Sequence, residues 1–439
     1  MPFGLPSGLP SEPPSELAPK LPFESPSGPP DELLPSPEEY IPAPLAYFTT
    51  ESGFIPATTN PPPPNRSLVE LIYEAEGGAN VVYVIQGVLP EDVPQRDEAE
   101  FAQADQFEPN TIRPEHEPII CRKVLRLRKA MTTVSTSKQS EHWNTVVKQD
   151  CFGGIEDLLL SYHITPIHKD VLQALVIELA NMEKTRGRPK KRHGEYLASD
   201  AGLLLTNMKP IPSFTFAVEF KPKWLVQSPN APPNSRRCRN CAMAKSGLKK
   251  TTFCPLYLVH ERENRVESAV HTLLDRIGIT KDYRFSDQVL KKVTRSFTEP
   301  EGDVYRILRR LREKQRQYDE HGILHLRDKP VDEGNPPART QEWENLLTAM
   351  TLRDCSIFIR ASWDDDQIEA RATDLDFKSA GNVKLQKWWN DEATLVNHGY
   401  YTAVGAGATV EGDIETCALW VDSLKPQHTR DEVGTRSTM

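Results

Sequence analysis

The chain's 439 residues, 38% of them hydrophobic, suffice for one large two-lobed domain or two smaller ones. No apolar run is long enough to span a bilayer, and Met1-Pro2-Phe3-Gly4-Leu5-Pro6 lacks the basic and apolar stretches of a secretory signal, so neither a membrane anchor nor a leader is expected. Seven cysteines, an odd number, point to a reducing compartment, nucleus or cytoplasm, rather than a disulfide scaffold. The net charge of −9 argues at first against a polyanionic ligand. The acid is unevenly placed, however: residues 1–64 carry eight acidic side chains and one basic, and the near-neutral remainder can still focus a positive cleft.

Residues 1–65 hold half of the 38 prolines and read as a disordered extension, outside the fold. Folded sequence is expected from about Ser67. Leu68 to Tyr73 and Val81 to Ile85 are β-branched and aromatic runs around Glu76-Gly77-Gly78-Ala79-Asn80, a hairpin pattern. A polar loop over 90–117 precedes a strand at Ile119 to Arg128. Helices are expected near 154–163 and at Asp170 to Lys184, where Val171, Leu172, Leu175, Ile177, Leu179 and Met182 form a stripe. Strands follow at Gly202–Thr206 and Phe214–Phe220, then a cysteine-containing loop to Pro255. Helices near 263–276, 303–319 and 340–352 and strands at Cys355–Ala361 and Ile368–Phe377 complete an α+β pattern of two lobes with a cleft between them.

Six features carry candidate chemistry, each with a plainer alternative. Gly77 and Gly78 let backbone N–H groups approach a phosphate, although such a pair is most often a tight turn. Alternation over Arg122 to Arg128 puts Arg122, Arg126 and Arg128 on one face, suited to nucleotide phosphates or merely solvated on an edge. In the segment Glu219-Phe220-Lys221-Pro222-Lys223 the three charged residues share a face while Val218 and Phe220 point into a core. Pro222 ends strand pairing there, so the charges suit a phosphate site better than a salt-bridged edge. Asp354, and Asp374 with Asp376 and Lys378, stand at strand ends, where phosphoryl transfer needs a proton acceptor and a magnesium ligand and where many sheets simply carry aspartates. Cys238-x2-Cys241-x12-Cys254 has a spacing that could hold zinc, with His260 as a candidate fourth ligand, or could be buried thiols. Lys184 to Arg192 holds six bases in nine residues. It reads as a solvated charge run, a nuclear-localisation or minor-groove patch, or part of an anion site.

Together these residues resemble the inositol-pentakisphosphate 2-kinase family, particularly its fungal members. The Glu-x-Lys-Pro-Lys signature stands at Glu219–Lys223. Glu76–Asn80, Lys123-Val124-Leu125-Arg126, the Cys238 to Leu256 loop, Asp354-Cys355-Ser356-Ile357 and Asp374-Leu375-x-Phe377-Lys378 follow the family's order over roughly residues 68–390. The resemblance implies a two-lobed inositol-phosphate-kinase fold distantly related to protein kinases. Its lobes would be 66–207 (ATP binding) and 208–424 (inositol phosphate binding and catalysis), ahead of a tail at 425–439. It implies ATP-dependent phosphorylation of the 2-hydroxyl of inositol 1,3,4,5,6-pentakisphosphate to the hexakisphosphate, phytate, using magnesium; a monomer is expected.

By position, Gly77, Gly78, Ala79, Asn80 and Arg126 would contact ATP phosphates, and Thr206, Asn207 and Met208 would form the hinge beside adenine. Glu219 and Lys221 would hold the nucleotide, Lys221 also acting in catalysis, and Asp374 would bind magnesium. Arg192, Lys223, Lys378 and one lysine of the cysteine loop (Lys245, or Lys249 or Lys250) would contact inositol phosphates. Asp354 would take the hydroxyl proton. A different class of reading is a nuclear nucleic-acid-binding protein using residues 184–192 and a cysteine-loop zinc module. Others are a kinase for another inositol phosphate and a catalytically inactive phytate-binding relative.

Overall fold

The computed structural model describes residues 44–63, 66–88, 119–130, 135–185, 187–198, 200–211, 213–249, 253–326, 341–378, 384–402 and 417–419. Within them the protein is α+β, with two antiparallel sheets that each carry their own core. The first sheet has the order β2-β1-β3-β4-β5-β7-β6, built from β1 (Leu45–Thr49), β2 (Gly53–Pro56), β3 (Ser67–Glu76), β4 (Asn80–Gly87), β5 (Lys123–Arg128), β6 (Tyr162–Pro166) and β7 (Ala201–Thr206). The expected hairpin is β3–β4, in which Leu71, Val81, Tyr83 and Ile85 alternate inward.

Two helices in the first half of the chain divide between the cores. Helix α1 (Thr136–His142) runs on as a π-helix over Trp143–Cys151. Helix α2 (Lys169–Lys184) lays Val171, Leu175 and Leu179, one turn apart, against the first sheet, as the stripe predicts.

The second sheet has the order β10-β9-β8: β8 (Thr215–Phe220), β9 (Ser356–Ser362) and β10 (Ile368–Thr373). Helices α3 (Arg239–Lys245), α4 (Glu263–Arg276), α5 (Asp287–Thr298), α6 (Asp303–Tyr318), α7 (Gln341–Asp354) and α8 (Lys384–Asn397) surround it. Val266, Val270, Val293, Phe297, Ile307 and Leu311 from α4 to α6 pack on Val218, Ile357 and Ile359 to form the larger core. No helix among the described residues is long and apolar enough to cross a membrane.

Several expectations are corrected. Residues 45–56, placed within the disordered extension, form β1 and β2. Ala46, Phe48 and Phe54 are buried, and the prolines flank the pairing: the carbonyl of Pro44 accepts from Leu71 N–H (3.0 Å), and Pro56 ends β2. Of that extension, residues 1–43 and 64–65 lie outside the described residues, as do the loop over 90–117 and the tail at 425–439. Residues 119–122 are a 3-10 turn, so the strand begins only at Lys123. No helix stands at 154–163, which holds a 3-10 turn at Glu156–Leu158 and the start of β6; the helical stretch at 136–151 is not one expected from the sequence. The apolar run Leu158-Leu159-Leu160 instead crosses between the sheets, with Leu160 N–H donating to the carbonyl of Ala372 (2.9 Å).

Strand β10 stops at Thr373 rather than Phe377, because Asp374 turns into the left-handed region (φ 57°). The chain beyond it is held by side chains: Gln139 accepts from Phe377 N–H (2.8 Å), and the Thr351 hydroxyl donates to the carbonyl of Asp376 (3.1 Å). Helices α3, α5 and α8 were not anticipated. Trp143, Val147, Cys151 and Phe152 pack into the second core, so the lobes do not part at a single point in the sequence.

Candidate active site

Strand β8 delivers the Glu219–Lys223 segment to the cleft. Val218 and Phe220 are buried, Phe220 stacking on Phe297 (5.8 Å between ring centres), which turns the charged residues to the other face. Pairing with β9 ends at Phe220, as Pro222 requires. Beyond it Lys221 Nζ donates to the carbonyl of Asp354 (2.7 Å) and forms a salt bridge with the Asp374 carboxylate. Lys223 takes φ 55°, and its Nζ meets Asp354 Oδ1 at 2.9 Å. Gln315 holds that turn by donating to the carbonyl of Lys223 (2.8 Å). Lys223 and Asp374 are two of three non-glycine residues with positive φ among those described. Such strain persists where surrounding structure enforces a required side-chain position.

Asp354 ends α7 and lies between two ammonium groups, Lys223 on Oδ1 and Lys378 on Oδ2 (3.1 Å). Burial alone would raise its pKa, but Lys378 and Lys223 overcome that and hold the carboxyl well below its usual range. Lys221 is shifted the other way: burial opposes its charge, and Asp374 outweighs that to raise its pKa. The charges of this cluster also act on Lys249. Burial lowers its pKa first, then the charge of Lys223, with Asp354 opposing and Arg239 and Lys387 adding further repulsion. Lys245 sits in the last turn of α3, and Lys250 is outside the described residues.

From the first sheet, Arg126 on β5 forms a salt bridge with Asp376, lies 3.9 Å from Asp374, and shares Asp376 with Asn80 Nδ2 (3.1 Å). Burial pushes the Asp376 carboxyl upward, and the surrounding Arg126, Arg128 and Lys378 charges pull it below its ordinary value. Alternation groups Asp376 with Asp374 without giving it a role. Here it is the acid that seats Arg126.

The hairpin tip does not itself demand glycine. Neither Gly77 nor Gly78 has positive φ, and a Cβ on Gly77 would meet nothing within 4 Å. The tip is open to solvent. Over Gly78 stands Arg192, whose guanidinium would be 3.8 Å from a Cβ there and which pairs with Glu195 (3.4 Å). Beneath the tip Lys129 Nζ bonds the carbonyl of Gly77 (2.9 Å), Glu76 (2.6 Å) and Glu195 (2.7 Å). Arg188, from the basic run, is itself buried against Glu76 (2.8 Å) and Glu183 (2.5 Å). It anchors the hairpin and is no free hook for a minor groove.

A deeper layer fixes the turn at Lys223. Trp224, next to Lys223, is sandwiched between the guanidinium of Arg353 (3.4 Å to the ring centre) and that of Arg239 (4.5 Å). Arg353 pairs with Asp319 (2.6 Å) and Arg239 with Glu392 (2.6 Å), which also accepts from Ser228 (2.6 Å) and Tyr401 (2.7 Å). The residues beside Asp354 and Lys223 and the start of α3 are thus locked together.

Thr206 to Met208 leave β7 for the second sheet. Asn207 N–H donates to the carbonyl of Arg122 (2.7 Å), and Arg360 Nη1 donates to the carbonyl of Asn207 (3.1 Å). Met208 is buried with Leu160, Leu203 and Leu205, beside Val124 and Phe358 from the two sheets. This segment connects the first sheet to the second. Glu219, by contrast, accepts from the Ser356 hydroxyl (2.8 Å) and stands outside the ion-pair chain running from Asn80 to Lys378.

The cysteine loop closes on a residue the sequence did not suggest. Cys238, Cys241, Cys254 and Cys417 bring their sulfurs within 4.8 Å of one another. Cys238 and Cys254 are 3.6 Å apart, and Cys254 and Cys417 4.0 Å. A tetrahedron with Zn–S of about 2.3 Å has edges near 3.8 Å, so the donor set fits zinc. His260, the suggested fourth ligand, is not part of this group; its Nδ1 accepts from Arg262 N–H (2.9 Å). Cys417 lies 163 residues beyond Cys254, a separation from which no spacing motif can be read.

Comparison with known proteins identifies the family. The chain is 26% identical over 300 residues, 64% of its length and 87% of the relative's, to the "Inositol-pentakisphosphate 2-kinase" of Yarrowia lipolytica. It is 27% identical over 181 residues to the protein of the same name from Candida glabrata, covering 41% of the chain and 54% of that relative. The family model described as inositol-pentakisphosphate 2-kinase matches residues 73–394, a span running from the Gly-rich hairpin through Lys378. The chain belongs to the inositol-pentakisphosphate 2-kinase family.

Proposed function

We propose that this protein transfers the terminal phosphoryl group of ATP to the 2-hydroxyl of inositol 1,3,4,5,6-pentakisphosphate, giving the hexakisphosphate. Family membership and the names of the relatives support the reaction. The observation that carries it is the carboxylate of Asp354 suspended between Lys223 and Lys378, one ion pair away from Lys221 and Asp374. An acceptor with many phosphates needs convergent ammonium groups, and a transferable hydroxyl proton needs a carboxylate among them.

In this reading the hairpin at Gly77–Asn80 and Arg126 bind the nucleotide's phosphates, with Asp376 orienting Arg126. Thr206 to Met208 form the hinge beside the base, Glu219 and Lys221 hold the nucleotide, and Lys221 orients Asp374. Asp374 would hold Mg²⁺, whose charge supplies neutralisation of the triphosphate. Lys223, Lys378, Lys249 and Arg192 take acceptor phosphates, with Lys245 a further contact from the cysteine loop. When phosphates engage Lys223 and Lys378, less positive charge bears on Asp354. Its basicity then rises as the 2-hydroxyl arrives, and the proton passes to its oxygen.

The two sheets correspond to the lobes of a kinase-like fold, acting as a monomer in nucleus or cytoplasm. Cys238, Cys241, Cys254 and Cys417 would hold a structural zinc that ties residues 417–419 to the substrate loop. The test is turnover of inositol pentakisphosphate with magnesium-ATP. Formation of hexakisphosphate by the wild type and its loss in folded Lys221→Ala and Asp354→Ala are expected; wild-type rates in both variants would overturn the residue roles.

A further inference from the structure

Arg128 lies two residues beyond Arg126 on β5, on the same face, opposite Asn80 in the β4–β5 register. It is only 6% exposed, and its Nε and Nη1 are buried without a hydrogen-bond partner among the described residues. Each basic neighbour has a close acid: Arg126 has Asp376, Lys129 has Glu76 and Glu195, Arg188 has Glu76 and Glu183. Arg128 feels Asp376 only through space, and that carboxylate is already bonded to Arg126 and Asn80. A guanidinium stays protonated at any pH a protein survives, so it cannot escape burial by losing its charge. A buried cation without a counter-charge is costly, which suggests that the missing partner is a ligand.

The space around it suits that ligand. Arg128 lines an open cavity of about 470 Å³ with Ser135, Thr136 and Ser137 at the start of α1 and Ile164 across it. The Ser135 hydroxyl accepts from Lys138 N–H (3.2 Å) and keeps its own proton to donate. The acid in the wall, Asp200, is exposed, where water screens its repulsion. Nε and Nη1 face different edges of the guanidinium; the side-on pair that matches two oxygens of a phosphate is Nε with Nη2, as in Arg188 on Glu76.

We propose that this cavity is a phosphate subsite, separate from the Asp354 cluster, in which Arg128 is the charged ligand. Its phosphate comes either from the acceptor bound across the cleft or from a free oxyanion. Binding of the anion is measurable without turnover, so failure of the proposed reaction would not count against it.

Two experiments on the full chain test the subsite. In crystals soaked with sodium tungstate, an anomalous peak is expected within hydrogen-bond distance of the Arg128 guanidinium; ordered water alone there would count against it. In solution, orthophosphate should raise the melting temperature of the wild type more than that of Arg128→Gln, with Arg128→Lys retaining part of the gain and serving if the glutamine variant fails to fold. The source follows from kinetics. A rise of roughly tenfold or more in KM for inositol pentakisphosphate, with KM for ATP unchanged, assigns the acceptor. An unchanged KM with the orthophosphate effect lost assigns a free oxyanion. Equal orthophosphate stabilisation of wild type and Arg128→Gln, together with no tungstate at Arg128, would overturn the proposal.

Discussion

Replacing Asp354 with asparagine should move binding and catalysis in opposite directions. The carboxylate accepts one ammonium on each oxygen, at 2.9 and 3.1 Å, and its side chain is 38% exposed. A charge-assisted hydrogen bond is worth about 1.5–3 kcal/mol when well buried. With more than a third of the group in water, roughly 1 kcal/mol apiece is the better figure. The Asp354→Asn substitution frees both lysines for phosphate, so inositol pentakisphosphate should bind about five- to thirtyfold more tightly, at tenfold per 1.4 kcal/mol. Loss of the proton acceptor should meanwhile lower kcat by about 10²–10⁴.

Calorimetric titration of inositol pentakisphosphate without nucleotide reads the first effect and steady-state ADP release the second. The pH dependence of stability gives an independent check. The folded pKa of Asp354 is depressed, so its stabilising contribution is complete above the unfolded value of about 3.9 and disappears as pH falls through the folded one. Wild type and Asp354→Asn should therefore converge in acid. Binding equal to or weaker than wild type, with kcat unchanged, would refute both the clamp and the base.

Other expectations follow from the same geometry. Asp376→Asn removes the partner of Arg126 and should raise KM for ATP by roughly tenfold in initial-rate assays, with little change in KM for the acceptor. Glu369→Gln leaves Arg360, fully buried, without its counter-charge (2.5 Å away), and chemical denaturation should show a loss of about 3–5 kcal/mol. Cys417→Ser should reduce bound zinc per chain, measured by elemental analysis, and lower the melting temperature; equal metal content would remove Cys417 from the ligand set. Burial raises the pKa of Glu178 to about 7, with Glu70 adding to the shift. The folded state thus holds a proton there that the unfolded chain releases near pH 4.3, and stability contributed by this group falls as pH rises from about 4.3 to 7. Glu178→Gln should melt higher than wild type at pH 8, with the gap shrinking toward pH 5 in fluorimetric melts.

Local patterns in the chain determined much of this protein. Alternation in Val218 to Phe220 and in Leu125 to Arg128, and the stripe in α2, depend only on neighbours in sequence, and the strands and helix they imply are present. Even where β10 ends early, Asp374 and Asp376 stay on the cleft side while Leu375 is buried. The same local logic failed over 45–56 and 136–163. There proline content and a polar helix face masked what distant packing partners would bury, Phe48 against Phe54 and Trp143 against Tyr162.

What only the tertiary structure decided is which charges meet. Lys223 and Asp354 are 131 residues apart, Arg126 and Asp376 250, and Cys254 and Cys417 163. Sequence supplies the types of group at such distances but not their pairing. Pairing depends on where two sheets and their helices come to rest, and on two strained turns, at Lys223 and Asp374, that aim the side chains once packing holds them.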